Sequence, residues 1–215
     1  MDGMIEIKRM DTVDADISTE VAIVFVDGYY NEISYISKDR EKLVRIFKNA
    51  FVKETIFIAL MDGEVAGILA CSDNKMRSIY INKEDIIANL GIIKGTFIYF
   101  LLEKEFHTPI SYDNNTAYIE SVATLSVAQG KGVATRLLEH IIKKLPYNEF
   151  RLTVKDNNKS AISIYNKLGF WEFDKMKAGF FERKFFKFKL YMKIIKNHEG
   201  HLEENQGNLK EAYYV

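Results

Sequence analysis

Cysteine is almost missing from this chain. Among 215 residues Cys71 is the only one, so an intramolecular disulfide is excluded. Nothing argues for an oxidising compartment. Proline occurs only twice, and no internal repeat or low-complexity block is present. Net charge is absent too, with 30 Lys/Arg against 30 Asp/Glu. No apolar run approaches the ~20 residues that span a bilayer. The most apolar segment, Ile92 to Leu102, is interrupted by Lys94 and Gly95. The start, Met1-Asp-Gly-Met-Ile-Glu, lacks the basic opening and apolar stretch of a secretory signal. A P-loop string, GxxxxGK[ST], is missing, and so is a complete GxGxxG dinucleotide turn. His198 and His201 have a metal-like spacing but no second cluster of ligands, so no metal is expected. These absences point to a soluble, cytoplasmic protein with no membrane partner.

What is present is the composition of a folded domain, 47% hydrophobic and 28% charged, in a chain long enough for a sizeable core. Charge is unevenly placed. Residues 151–196 carry 12 Lys/Arg against 4 Asp/Glu, whereas residues 197–215 carry 1 against 4. A basic region of this kind binds nucleic acid, helps hold phosphates, or forms a solvated sheet face. The alternation at its end favours the solvated face: Phe186, Phe188, Leu190, Met192 and Ile194 share one side, Lys187, Lys189 and Lys193 the other. No nucleic-acid partner is therefore expected.

The remaining organisation centres on residues 122–138. An apolar strand pattern runs into Gln129-Gly130-Lys131-Gly132, and a helical pattern follows with Val133, Leu137, Leu138, Ile141, Ile142 and Leu145 on one face. The first amides of a helix lack internal partners, and the helix dipole adds partial positive charge there. Gly130 and Gly132 remove side chains that would keep a phosphate from that backbone. Alone, such a GxG turn also serves merely to shape a loop before a core helix.

Two segments together carry a resemblance. Val122-Ala123-Thr124 followed by Gln129-Gly130-Lys131-Gly132-Val133-Ala134 resembles the strand and R/Q-x-x-G-x-G/A pyrophosphate loop of the GNAT superfamily of acetyl-CoA-dependent N-acetyltransferases. Downstream, Asn158-Lys-Ser-Ala161-Ile-Ser-Ile-Tyr165-Asn-Lys-Leu168-Gly169-Phe170 resembles that family's N-x-x-A-x-x-x-Y-x-x-x-G-F helix. The family often has proline after the strand; this chain has Ser126. The resemblance implies an α/β (α+β) fold: a single domain over residues 1–196, with a mixed central sheet of six or seven strands flanked by helices. A polar tail over 197–215 would follow.

The pattern along the chain agrees. Strands are expected over 4–10, 55–61, 64–71, 116–122, 150–154, 171–174 and 186–194, and helices over 18–29, 39–53 and the two motif segments. Asp62-Gly63 is a hairpin turn signal. Residues 73–116 exceed a minimal family member. They read as a helical insertion, with helices over 83–93 and 96–106, and Phe97, Tyr99, Phe100 and Phe106 make the second unusually aromatic. The segment is expected to pack on the domain; it either borders the acceptor site, as a pocket wall or lid, or serves core packing or a dimer contact, so the chain is a monomer or homodimer.

The resemblance also implies a chemistry. Acetyl-CoA is the cosubstrate, its pyrophosphate held by residues 129–135, Thr135 included, with Asn158 holding the pantetheine or the loop. Backbone amides near Thr124 would stabilise the tetrahedral intermediate. Tyr165 matches the family's general acid: a phenol of pKa ~10 donates to a thiolate whose conjugate acid lies near ~8.5 or somewhat higher. Glu120, projecting from the strand beside the cofactor, is the candidate base, and equally a carboxylate paired for positioning. The thioester is already activated, so no metal or covalent intermediate is required, and Cys71 reads as a core thiol. The acceptor is a small-molecule or peptide amine. Two other classes stand beside catalysis: a non-catalytic acyl-CoA-binding sensor or interaction module, and a nucleic-acid-binding protein using the basic region.

Overall fold

The computed structural model describes residues 4–179 and 183–196. Chain contacts group them into two compact units, one up to Leu152 and one from Thr153. The expected tail, with His198 and His201, lies outside the described residues.

The first unit opens with β1 (Ile5–Arg9), α1 (Ser18–Ile33) and α2 (Arg40–Phe47). The Asp16 carboxylate accepts the Ser18 amide at the start of α1, and Asp39 accepts the Lys42 amide at that of α2. α1 runs four residues past its expected end. α2 stops short of residue 53 because the next segment is drawn elsewhere: Val52 donates to the Ser78 carbonyl, Tyr80 donates to that of Ala50, and Phe51 bridges Ile79. Then come β2 (Ile56–Met61), β3 (Glu64–Ser72), α3 (Lys83–Leu90), α4 (Ile92–Phe106), β4 (Thr116–Thr124), α5 (Val133–Lys144) and β5 (Glu149–Lys155). Gly91, at φ +78°, ends the first insertion helix at Leu90, three residues earlier than expected.

Within this unit the sheet order is β1-β2-β3-β4-β5. The first three pairings are antiparallel; β4 and β5 run parallel over 116–119 against 149–152. One face packs on α1 and α2, where Val21, Phe25, Leu43, Ile46 and Phe47 meet Ile56, Ile58, Ile68 and Ala123. The insertion joins that core through Ile86, Ile98 and Leu102, as expected of a segment packed on the domain. Phe97 and Phe100, by contrast, point outward, 65% and 58% exposed. The opposite face packs on α5, whose Val133, Leu137, Leu138, Ile141 and Ile142 are all buried.

The second unit contains the last residues of β5, then α6 (Lys159–Lys167) and the antiparallel pair β6 (Trp171–Lys177) and β7 (Phe188–Ile195). Met192 and Ile194 are buried along β7; Phe186 is buried just ahead of the strand rather than within it. The fold class is thus the expected mixed α/β one, with seven strands flanked by helices.

Candidate active site

β4, the turn after it and α5 bring together Glu120, Val122, Ala123, Thr124 and Gln129 through Thr135. The β4–β5 ladder ends at Ile119 and Leu152, yet β4 continues to Thr124 along β3. The Leu125 amide donates to the Ala66 carbonyl of β3 at 2.9 Å. Since strand amides alternate in direction, those of Val122 and Thr124 face the other edge. At Val122 that edge is occupied by Tyr29 of α1. The Tyr29 hydroxyl accepts the Val122 amide at 3.0 Å and donates to the Val122 carbonyl at 3.3 Å. Burial holds this phenol above the ordinary tyrosine value, so it stays a donor at neutral pH.

Past Thr124 the expected strand gives way to a short 3-10 turn over Ser126–Ala128. Gly130 and Gly132 then adopt φ of +77° and +80°, a region that strains any L side chain. A Cβ at either would meet nothing within 4 Å, so the demand for glycine is the turn itself rather than crowding. Gly132 precedes α5, whose first internal bond runs from the Arg136 amide to the Gly132 carbonyl at 2.9 Å. The amides of Val133, Ala134 and Thr135 therefore lie ahead of the helical ladder. Gln129, Gly130, Lys131 and Gly132 are exposed, while Val133 anchors the turn in the core. Backbone donors at a helix start, an approach clear of side chains and one exposed cation fit a diphosphate.

Glu120 is set differently. Its side chain is 5% exposed and that of Arg77 10%. Arg77 Nη2 lies 2.6 Å from Glu120 Oε1, and Arg77 Nε lies 3.3 Å from Oε2, a forked pair. Ser72 Oγ and the Ser78 amide also donate to Oε2. Arg77 further donates to the carbonyls of Glu105 and Thr108, at the C-terminal end of α4. The cluster thus ties the insertion to the central strand. Cys71 beside it is buried, and burial pushes its thiol up, with Asp73 and Glu120 adding to the shift. It stays protonated and is no nucleophile. Among the described residues no group of three or more His, Cys, Asp or Glu is placed to hold a metal.

Asn158 and Tyr165 belong to the second unit. Asn158 Oδ1 accepts the Ala161 amide at 3.2 Å and so caps α6, a local role its sequence position permits without any ligand. Tyr165 is buried, its ring 5.8 Å from that of Phe170.

The family profile described as acetyltransferase (GNAT) family matches residues 27–170. The chain belongs to the GNAT family of acetyltransferases. The match starts in α1 and ends just past α6, so it takes in both the glycine turn and the Asn158–Phe170 segment. Solved structures of GNAT proteins share its fold. A GNAT family acetyltransferase from Bacillus cereus is 12% identical with a TM-score of 0.55, covering 91% of this chain and 100% of its own. The ribosomal-protein-S18-alanine N-acetyltransferase from Escherichia coli is 14% identical with a TM-score of 0.53, covering 98% and 100%. The NatC complex bound to Gag peptide and CoA is 15% identical with a TM-score of 0.52, covering 90% and 99%. No curated protein matches the sequence.

Relative to this GNAT frame, residue patterns missed Arg77, Ser72, Ser78 and Tyr29, and also Asp27 of α1, whose carboxylate accepts the Ser126 amide at 2.8 Å at the start of the turn. Arg77 did leave a trace: it is the sole arginine between Arg45 and Arg136. Arginine suits buried forked pairing.

Proposed function

We propose that this GNAT protein is an acetyl-CoA-dependent N-acetyltransferase acting on a primary amine by direct attack in a ternary complex. The observation that carries the reading is the turn with Gly130 and Gly132 left-handed and exposed at the start of α5. Residues 129–135 would hold the pyrophosphate. Bound there, acetyl-CoA supplies an already activated acyl group. The Thr124 amide faces the edge of β4 where an acyl oxygen needs a donor. Tyr165 gives the leaving thiolate its proton, a role resting on the family motif. Residues 1–196 act as one acetyltransferase domain, a view supported by a family match that crosses both units.

Glu120 takes the positioning role rather than that of base. Both of its carboxylate oxygens are engaged, by Arg77, Ser72 and the Ser78 amide, and the same Arg77 holds the carbonyls at the end of α4. The acceptor accordingly attacks as the neutral amine, and the proton its nitrogen sheds on forming the amide leaves to solvent or restores the Tyr165 phenol that protonated the thiolate. The acceptor class is a small molecule or a peptide; peptide and protein acceptors are consistent with the NatC and ribosomal-protein enzymes that share the fold.

A melting experiment with acetyl-CoA tests the coenzyme, and an amine screen read by release of free thiol tests the transfer. Stabilisation together with thiol release on some amine is the expected result. Stabilisation without turnover on any amine favours the acyl-CoA sensor instead.

A further inference from the structure

We propose that the consecutive residues Asp27, Gly28 and Tyr29 of α1 form a clasp that positions the coenzyme-binding backbone, with Asp27 doing the work a proline does elsewhere in the family. The proposal rests on the acetyl-CoA reading above.

Each residue has its own grip. Asp27 Oδ2 accepts the Ser126 amide at 2.8 Å and the Ser126 hydroxyl at 2.7 Å. Its other oxygen accepts from Arg40 of α2 at 3.3 Å, which holds the carboxylate in place. Gly28 allows the approach: a Cβ there would stand 2.8 Å from the Ala123 Cβ, too close for any side chain. Tyr29 takes both the amide and the carbonyl of Val122. The clasp therefore touches β4 and its exit at positions 122, 123 and 126, on either side of Thr124. Because Tyr29 fills the Val122 position of that edge, the next amide facing the same way is that of Thr124.

Ser126 opens the turn that leads to Gly130. A proline at this position fixes φ near −65° through its ring and has no amide to satisfy. Ser126 has an unconstrained φ and two donors, and Asp27 binds both. Leu125, at φ −50° and ψ 139°, already has the extended conformation required of a residue before proline. The Leu125 backbone thus suits Ser126→Pro, but the ring would stand where the Asp27 carboxylate now meets the Ser126 amide, so the proline fits once Asp27 is trimmed to alanine, and this makes Asp27 testable by rescue.

The experiment is calorimetric titration of acetyl-CoA into the full chain, for the parent, Asp27→Ala, Ser126→Pro and the double variant, with melting curves to confirm folding. Asp27→Ala is expected to weaken acetyl-CoA about tenfold. The double variant is expected to recover most of that loss, because the ring restores the bend without the carboxylate. Binding by Asp27→Ala equal to the parent overturns the clasp and leaves the acetyl-CoA reading standing. The same holds if the double variant melts like the parent but recovers none of the binding, which would make the Asp27 effect unrelated to the bend; Ser126→Pro alone is expected to bind weakly, because its ring meets the Asp27 carboxylate. Should the parent itself not bind acetyl-CoA, the functional reading fails and the clasp falls with it.

Discussion

The glycine turn at 129–132 and the Arg77–Glu120 cluster lie in the same unit and are built on opposite principles. The turn is exposed, made of backbone, and contained in a few consecutive residues. The cluster is buried, made of side chains, and drawn from β3, the segment after it, the end of α4 and β4. Backbone sites bind by presenting N–H groups that folding leaves unused, so their variants should alter ligand affinity more than stability. Buried ion pairs bind nothing and instead fix one arrangement of elements, so their variants should do the reverse.

The largest effect is expected at the cluster. Arg77→Met leaves Glu120 buried without its partner and should cost about 3–5 kcal/mol in urea unfolding. Replacing both, as Arg77→Met with Glu120→Leu, should recover much of that loss, since well-packed apolar groups often substitute for a buried pair. A single-variant cost below ~1 kcal/mol would mean that the pair behaves as an exposed one and would erase the contrast with the turn.

Next comes Tyr165→Phe. The loss of a general acid lowers turnover by about 10²-fold, or ~2.7 kcal/mol of barrier, with acetyl-CoA affinity kept. An unchanged kcat, with chemistry shown to limit the rate, removes Tyr165 from the mechanism.

Comparable in size is the effect of Gly132→Val, but it appears in binding. A β-branched side chain at φ +80° strains the turn and projects into the approach of a phosphate. At acetyl-CoA a hundredfold above Kd, the parent should gain about 2.7 kcal/mol, and the variant almost none of it. A variant that melts on its own close to the parent yet gains equally from acetyl-CoA places the pyrophosphate elsewhere.

The same contrast explains what could be read from the sequence. Glycines flanking Lys131 and the apolar face from Val133 to Ile142 are local patterns, and the structure has both where the pattern put them. The seven strands were legible for the same reason, since alternation is a property of neighbours. The end of α2 was not, because it is decided by the pairing of residues 50–52 with 78–80, across some thirty residues of chain. Glu120 shows the limit within a single residue. Its place on β4 followed from the alternation, but its partner Arg77 is 43 residues away and no periodicity joins them. Asp27 and Ser126 are 99 residues apart, and the missing proline was the one local sign that something else must hold the bend.

The smallest effect concerns that bend and asks whether its support is electrostatic, as the cluster's is. Burial alone raises the Asp27 carboxyl, but the Ser126 amide and hydroxyl and Arg40 outweigh it and hold it below the ordinary aspartate value. A carboxyl depressed in the folded state stabilises the fold above its unfolded pKa, about 3.9, because the unfolded chain there takes up protons more readily than the folded one. That contribution fades as pH falls through the lower, folded value. Asp27→Asn keeps an acceptor for Ser126 but removes the charge. Its deficit against the parent should be on the order of 1 kcal/mol near pH 7, modest because the Asp27 side chain is 24% exposed. Melting the two proteins side by side from pH 7 downward should show a constant gap to about pH 4 and a closing one below it. A gap that stays constant into strong acid would assign the support of Ser126 to hydrogen-bond geometry alone; one that widens on acidification would reverse the sign and place the Asp27 carboxyl above its unfolded value.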